Sequence, residues 1–139
     1  MEPFEASLPP DLLRLRGLRK ALAAWLEMVD VPPSQREPVV LATHEAAANA
    51  IEHACGRVTV RAVRDPDKII VVVTNSGRWK GPNPPKVERG SGMVLMQGLM
   101  SRFEIRVEPE RTTLRMGMDL VPEPGEAQRR TERPARNPS

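Results

Sequence analysis

Tyrosine is absent from the chain, and cysteine occurs once, at Cys55. A single cysteine closes no internal disulfide and supports no cysteine-based zinc cluster, a pattern of cytosolic rather than disulfide-stapled secreted domains. Two phenylalanines and two tryptophans are too few to build a stacking platform for bases. No stretch approaches the roughly 20 apolar residues that a membrane-crossing helix requires. The opening residues, MEPFEASLPP, lack a basic segment followed by an apolar one. The expectation is a soluble, cytoplasmic protein with no membrane association. Charge of one sign is missing too. Lysine and arginine number 21 against 18 acidic residues, the net charge is +3, and the two signs are interleaved. Direct contact with nucleic acid, which needs a basic stripe or face, is not expected.

What the chain does have is enough length for one core. Its 139 residues are 40% hydrophobic, which suits a single domain without metal or disulfide support. The domain is expected over 1–120. Residues 121–139 hold no large apolar anchor beyond the first and read as a disordered polar tail.

Periodicity divides the domain. A short arm before Pro9 and Pro10 can add an edge strand, and Asp11 is placed to cap the helix after it. Leu15, Leu18, Leu22, Trp25 and Val29 recur at helical spacing. Pro32 and Pro33 end that helix. A second helix is expected from about Gln35 to Ala54, with Pro38 in its first turn and Gly56 closing it. Then the period changes. RVTVRAVR (57–64) alternates, DPDK makes a tight turn, and IIVVV (69–73) is a β-branched run apolar on both sides, hence a central strand. A long segment dense in Gly and Pro (76–92) is too irregular for an element and suits a binding loop. A third helix over about 92–101 and two alternating strands, FEIRVE (103–108) and TTLRMGMDL (112–120), complete the order. This is an α/β chain, a two-layer sandwich with about three helices on one face of a mixed, mostly antiparallel sheet.

Three segments carry chemistry. In HEAAANAIEH (44–53), Glu45, Asn49 and His53 lie about 40° apart around the helix and so share one face. The arc of Val40, Ala47, Ile51 and Ala54 is small and apolar. Asparagine inside a helix is not explained by propensity; it is either solvated surface or part of a site. TNSG (74–77) follows the central strand, where ligand-binding groups often sit. RGSGM (89–93) runs into a helix N-terminus, whose free N–H groups and positive dipole end favour phosphate.

The order EAAANAIEH, VVVTNSG, RGSGMVLMQGL and a final-strand TT resembles the GHKL-type (Bergerat) ATP-binding domain shared by gyrase and histidine kinases. Within it the chain is most similar to bacterial anti-sigma factor serine/threonine-protein kinases of the partner-switching type. The similarity spans roughly residues 5–120. It implies the histidine-kinase-like ATPase fold, with ATP and Mg²⁺ as ligands. It also implies that Asn49 ligates Mg²⁺ and that Glu45 is the general base toward a partner's hydroxyl. Gly90, Ser91 and Gly92 would wrap the phosphates with Arg89 beside them, Asn75 and Gly77 would lie at the base, and Thr112 or Thr113 near the adenine. The implied partners are a sigma factor and an anti-anti-sigma protein of the STAS type, with a homodimer as a further possibility for covering the second face of the sheet.

The chain departs from that pattern at three places. Asn75 replaces the family's aspartate that accepts the adenine 6-amino hydrogen, Trp79 replaces a glycine, and Arg111 stands where a glycine precedes the threonine. The catalytic half of the motif set is intact and the base-binding half is altered. Two functions are compatible with this: an ATP-dependent kinase that binds a sigma factor and phosphorylates an anti-anti-sigma partner, or a divergent anti-sigma or partner-switch binding protein with weak or no kinase activity.

Overall fold

Proline and aspartate set the first boundaries. The computed structural model describes residues 2–54, 56–80 and 98–122. Strand β1 (Phe4–Leu8) ends at the two prolines, and the Asp11 carboxylate accepts the Leu13 N–H at 2.9 Å to start a single 3-10 turn. Helix α1 (Leu15–Met28) comes next, burying Leu15, Leu18, Leu22, Trp25 and Leu26 along one stripe. Its end is a Schellman turn: Val31 N–H returns to Leu26 O at 3.0 Å and Asp30 N–H to Glu27 O at 3.1 Å. Leu26 and Val31, both fully buried, make the apolar contact that accompanies this turn. The left-handed position falls on Asp30, with φ of 58°, where glycine is the usual occupant.

Helix α2 (Pro33–Ala54) starts earlier than its periodicity predicts, because Pro33 needs no N–H in the first turn and its fixed φ suits a helix start. Pro38 therefore falls in the second turn rather than the first, which removes one hydrogen bond toward Ser34. The buried set of α2, Val39, Ala42, Thr43, Ala46, Ala47, Ala50, Ile51 and Ala54, covers a wider arc than the one read from the sequence. Val40 is only partly buried. The reason is position: α2 packs against α1 and against the sheet together.

The sheet comprises β1, β2 (Val58–Asp65), β3 (Lys68–Asn75), β4 (Arg102–Glu108) and β5 (Arg111–Asp119), in the order β1-β2-β3-β5-β4. Every pairing among the described residues is antiparallel, so the parallel component of the expected mixed sheet is not seen there. The arm is the edge strand expected, and β3 is central. Register brings Val60 opposite Val73 and Val71 opposite Met116, which places these side chains with Ala62, Ile69 and Leu114 in one core beneath the helices. The expected third helix is helical at residues 98 and 99; its earlier part lies outside the described residues, as does the tail from 123.

The other face of the sheet is polar at its flanks. One row across it reads Glu5, Arg61, Val72, Arg115, Glu104. Arg61 pairs with Glu5, Arg102 with Asp119 at 3.7 Å, and Arg111 with Glu108 at 3.7 Å. The apolar surplus of IIVVV reduces to Ile70 and Val72, both half-buried within this face.

Long polar side chains tie the layers at their ends. Arg64 Nε donates to Val29 O at 3.1 Å, and its Nη1 donates to Asp65 O and Pro66 O in the β2–β3 turn. Gln35 donates to Asp119 O at 2.8 Å and accepts from Val121 N at 2.9 Å, fixing the exit of β5 to the start of α2. Of these features, the left-handed Asp30 is the one with stability in reserve. Asp30→Gly relieves the Cβ conflict of that conformation and is expected to raise stability by about 0.5–1 kcal/mol, with an unchanged denaturant slope in urea unfolding.

Candidate functional site

Alanines at 42, 46, 47 and 50 let α2 approach the sheet closely, and the polar face of the helix begins where that contact ends. Glu45, Asn49 and His53 follow one another along this margin, each half-buried. Asn49 therefore stands at the edge of the core, not opposite it. It lines a cleft with Ala46 and Ala50 from α2, Val73 from β3, Ile105 from β4, Thr112 and Leu114 from β5, and Trp79.

Inside that cleft one polar atom is left over. Thr112 is 5% exposed and its Oγ1 has no hydrogen-bond partner. Buried hydroxyls are nearly always satisfied, so an orphan facing a cleft marks a place for a ligand atom. Strand alternation separates the two threonines. Thr113 faces the opposite side of the sheet, beside Glu104, Arg106 and Arg115, and does not reach the cleft. Arg111 is exposed, extended and paired with Glu108, so it carries no positive-φ strain at the place of a glycine.

Asn75 lies buried behind the cleft, outside its lining. It is 1% exposed; its Nδ2 donates to Gly56 O at 3.1 Å and Ala50 O at 3.4 Å, and its Oδ1 accepts Gly77 N–H at 2.7 Å. The side chain expected at the base is thus committed to holding the end of α2 against the segment leaving β3. Gly56 and Gly77 make that contact possible. A Cβ on Gly77 would lie 2.6 Å from Gly56 N and 2.8 Å from Ala54 C, closer than atoms can approach.

Trp79 is the residue whose part in the site the sequence understated. Its ring packs against His53, centroids 4.9 Å apart, and Lys80 N–H donates to His53 O. The half-buried His53 ring is thus a rest for the indole. With Trp79 in place the cleft keeps about 10 Å³ of free space, room for one water at most. A base needs more room than that, so its entry requires the residues around the cleft, Trp79 among them, to move apart. An aromatic residue directly after a glycine-bearing strand exit was the signal available.

The remaining expected residues are placed as follows. Glu45 sits one turn before Asn49 on the same margin of α2. Arg89, Gly90, Ser91 and Gly92, the expected phosphate turn, lie outside the described residues, as does Cys55. His44 is half-buried, with its Nδ1 buried and without a partner, in keeping with a packed histidine. Among the described residues, no three His, Cys, Asp or Glu side chains are grouped to hold a metal by themselves, and no helix is long and apolar enough to cross a membrane.

Comparison with known proteins gives the family and the fold. Residues 8–118 match the family described as the histidine kinase-like ATPase domain. No curated protein matches the chain. Among solved structures, the RsbU and RsbW domains of Rv1364c from Mycobacterium tuberculosis superpose with a TM-score of 0.72 at 22% identity, over 88% of this chain and 34% of that one. The Acinetobacter baumannii histidine kinase AdeS superposes with a TM-score of 0.53 at 11% identity, over 88% of this chain and 70% of that one. The chain spans about a third of the first of these proteins, and at such identities the likeness is one of fold.

The close approach behind the cleft sets an expectation. Gly77→Ala is expected to cost about 1–3 kcal/mol, because backbone on both sides must shift. Gly17→Ala, in helix α1 with nothing within 4 Å of the new Cβ, is expected to gain roughly 0.5–1 kcal/mol. Paired denaturation curves check both.

Proposed function

The chain belongs to the histidine kinase-like ATPase domain family, and from that we propose that it is an ATP-dependent serine/threonine kinase acting as an anti-sigma factor. On this reading it binds a sigma factor and transfers the γ-phosphoryl group of ATP to a hydroxyl of an anti-anti-sigma protein of the STAS type. The observation that carries it is the cleft between α2 and the sheet, with the unpartnered Thr112 hydroxyl inside and Asn49 on its margin.

The residues present suit ATP and Mg²⁺. Thr112 Oγ1 offers a hydrogen bond at the base end. The Asn49 side-chain oxygen is the hard ligand type that Mg²⁺ takes, and a single protein ligand is enough where phosphates supply others. Bound there, the ion would neutralise phosphate charge. Glu45, one turn earlier, acts on the partner instead. Its carboxylate would orient the partner's hydroxyl and take its proton as that oxygen bonds to the γ-phosphorus, while the bond from phosphorus to the bridging oxygen breaks and ADP leaves. Gly77 lets the chain leaving β3 lie against the end of α2, and Arg89 with Gly90, Ser91 and Gly92 would meet the phosphates through backbone N–H groups. Thr113 has no part in this arrangement.

A second reading has its own support. Asn75 is committed to backbone groups, and the cleft that Trp79 helps to line has only about 10 Å³ free. These features favour a partner-switch binding protein with weak or no transfer. The RsbW domain in the name of one solved structure fits either reading.

Measurements of binding and of transfer separate them. Nucleotide entering the cleft must alter the surroundings of Trp79, which lines it, so Mg²⁺–ATP is expected to change tryptophan emission, and Trp79→Phe to abolish the change while Trp25 still emits. Asn49→Ala is expected to remove the Mg²⁺ dependence of binding with the fold intact; ATP affinity unchanged in Mg²⁺ would overturn its metal role. Glu45→Gln is expected to keep ATP and partner binding and lower phosphate transfer by about 10²–10⁴-fold. Partner binding with no transfer by the parent protein would leave the binding-protein reading.

A further inference from the structure

An edge strand leaves one row of backbone N–H and C=O groups unpaired, and a sheet must either blunt that row or pair it. This sheet has two edges, β1 and β4. Strand β1 is short and closed at both ends by prolines, Pro3 before it and Pro9 after it, which donate no backbone hydrogen bond. Strand β4 has no such guard. Its sequence, RFEIRVE, contains neither proline nor glycine, and among the described residues β5 is its sole strand partner. Phe103, Ile105 and Val107 point toward the core side, opposite Met116, Leu114 and Thr112, yet are only half-buried. Helix α2 packs over β2, β3 and β5, one strand short of them.

Along the outer side of β4, Arg102, Glu104, Arg106 and Glu108 alternate in sign. The whole strand can be aligned with a copy of itself in two ways. Parallel, it sets arginine beside arginine and glutamate beside glutamate. Antiparallel, with Ile105 opposite Ile105, it sets Arg102 opposite Glu108 and Glu104 opposite Arg106, while Phe103 meets Val107 on the core side. Every charge then faces its opposite and every apolar side chain an apolar one. The register is equally specified. A slip one way brings Glu104 onto Glu104 and Arg102 onto Arg106; a slip the other way brings Arg106 onto Arg106 and Glu104 onto Glu108. Strand β1 laid against itself in the same manner pairs Glu5 with Ser7 and offers no such match.

The charges are available for this. Glu104 and Arg106 make no ion pair among the described residues, and Arg102 and Glu108 reach their present partners only at 3.7 Å, in exposed pairs. Exposed pairs of that length contribute little, so a closer partner can share them.

We propose that the protein forms a two-fold symmetric dimer through β4, in which the sheets of two copies join edge to edge into one continuous antiparallel sheet. The interface is isologous, with the same residues contributed by each copy. Its charges admit the strand's own antiparallel copy and repel an apolar strand, which would leave them unmatched. The outer face of the sheet takes no part. Ile105 also lines the cleft, so the shared edge sets the two clefts side by side on the helical side of the joined sheet. The inference does not depend on the kinase reading.

Sedimentation velocity of the full chain over a range of concentrations tests it. The parent is expected to sediment with twice the mass of one chain at the upper concentrations and to dissociate on dilution. Glu104→Arg and Arg106→Glu, each alone, set like charges across the two-fold axis and are expected to abolish the dimer. Mixed in equal amounts, the two variants are complementary at both positions and are expected to form a heterodimer. Both substitutions in one chain restore the match and are expected to restore the homodimer. Both side chains are exposed, and pairing in the mixture itself shows that each variant is folded. A parent that stays monomeric at every concentration overturns the proposal. So does a dimer that survives both single substitutions, which places the interface at β1 or on the outer face. A mixture or a doubly substituted chain that remains monomeric overturns it as well.

Discussion

The end of α2 and the exit of β3 touch backbone to backbone, and the geometry of the cleft depends on that contact. Gly56 and Gly77 allow it, since a Cβ on either would overlap main-chain atoms of the other segment. Asn75 then holds it with bonds to Ala50, Gly56 and Gly77. Bonds of this kind contribute roughly 0.5–1.5 kcal/mol each, and more is lost when a buried partner is left unmatched. The clasp sets the depth of the cleft, because α2 carries Asn49 on the near wall and β5 carries Thr112 on the far one. It also directs the chain after Gly77 back over His53, where Trp79 comes to rest.

Above the clasp, the alanine-rich side of α2 is a spacing device. Small residues at 42, 46, 47 and 50 bring the helix down to the sheet, while α1 packs behind it through leucines and Trp25. The site lies where this packing stops. Glu45 and Asn49 are half-buried for that reason: the helix leaves the core along the line they occupy. A residue one position further inward would be sealed, and one further outward would be in open water. The ties at the opposite end, through Arg64 and Gln35, keep the helix ends and strand ends in register without touching the cleft.

The fold class, helices α1 and α2, the edge strand and the central place of β3 were legible from periodicity and its breaks. Leucine at helical spacing and valine in alternation each leave one way to bury an apolar face. The start of α2 was misplaced because Pro33 and Pro38 act differently according to where the first turn lies, and only packing settles that. The outer face of the sheet looked in need of a partner because IIVVV is apolar on both sides. Its flanking strands add Arg61, Arg115 and Glu104 around Ile70 and Val72, and strand order is not written in any single strand.

For the site, local order within the chain determined that Glu45 and Asn49 share a helix face, that a glycine-bearing turn follows the central strand, and that one of two adjacent threonines points inward. These are properties of helix and strand period, independent of what lies around them. Tertiary structure decided the rest. It chose Thr112 over Thr113, because register with β3 sets which threonine faces the helices. It gave Asn75 the part of a clasp, because carbonyls of Ala50 and Gly56 converge on its amide. It seated Trp79 on His53 and along the cleft, a contact between residues that neither helical nor strand spacing connects. Hydrogen-bond partners and occupied volume depend on where separate segments meet, and that meeting is made only when the chain has folded.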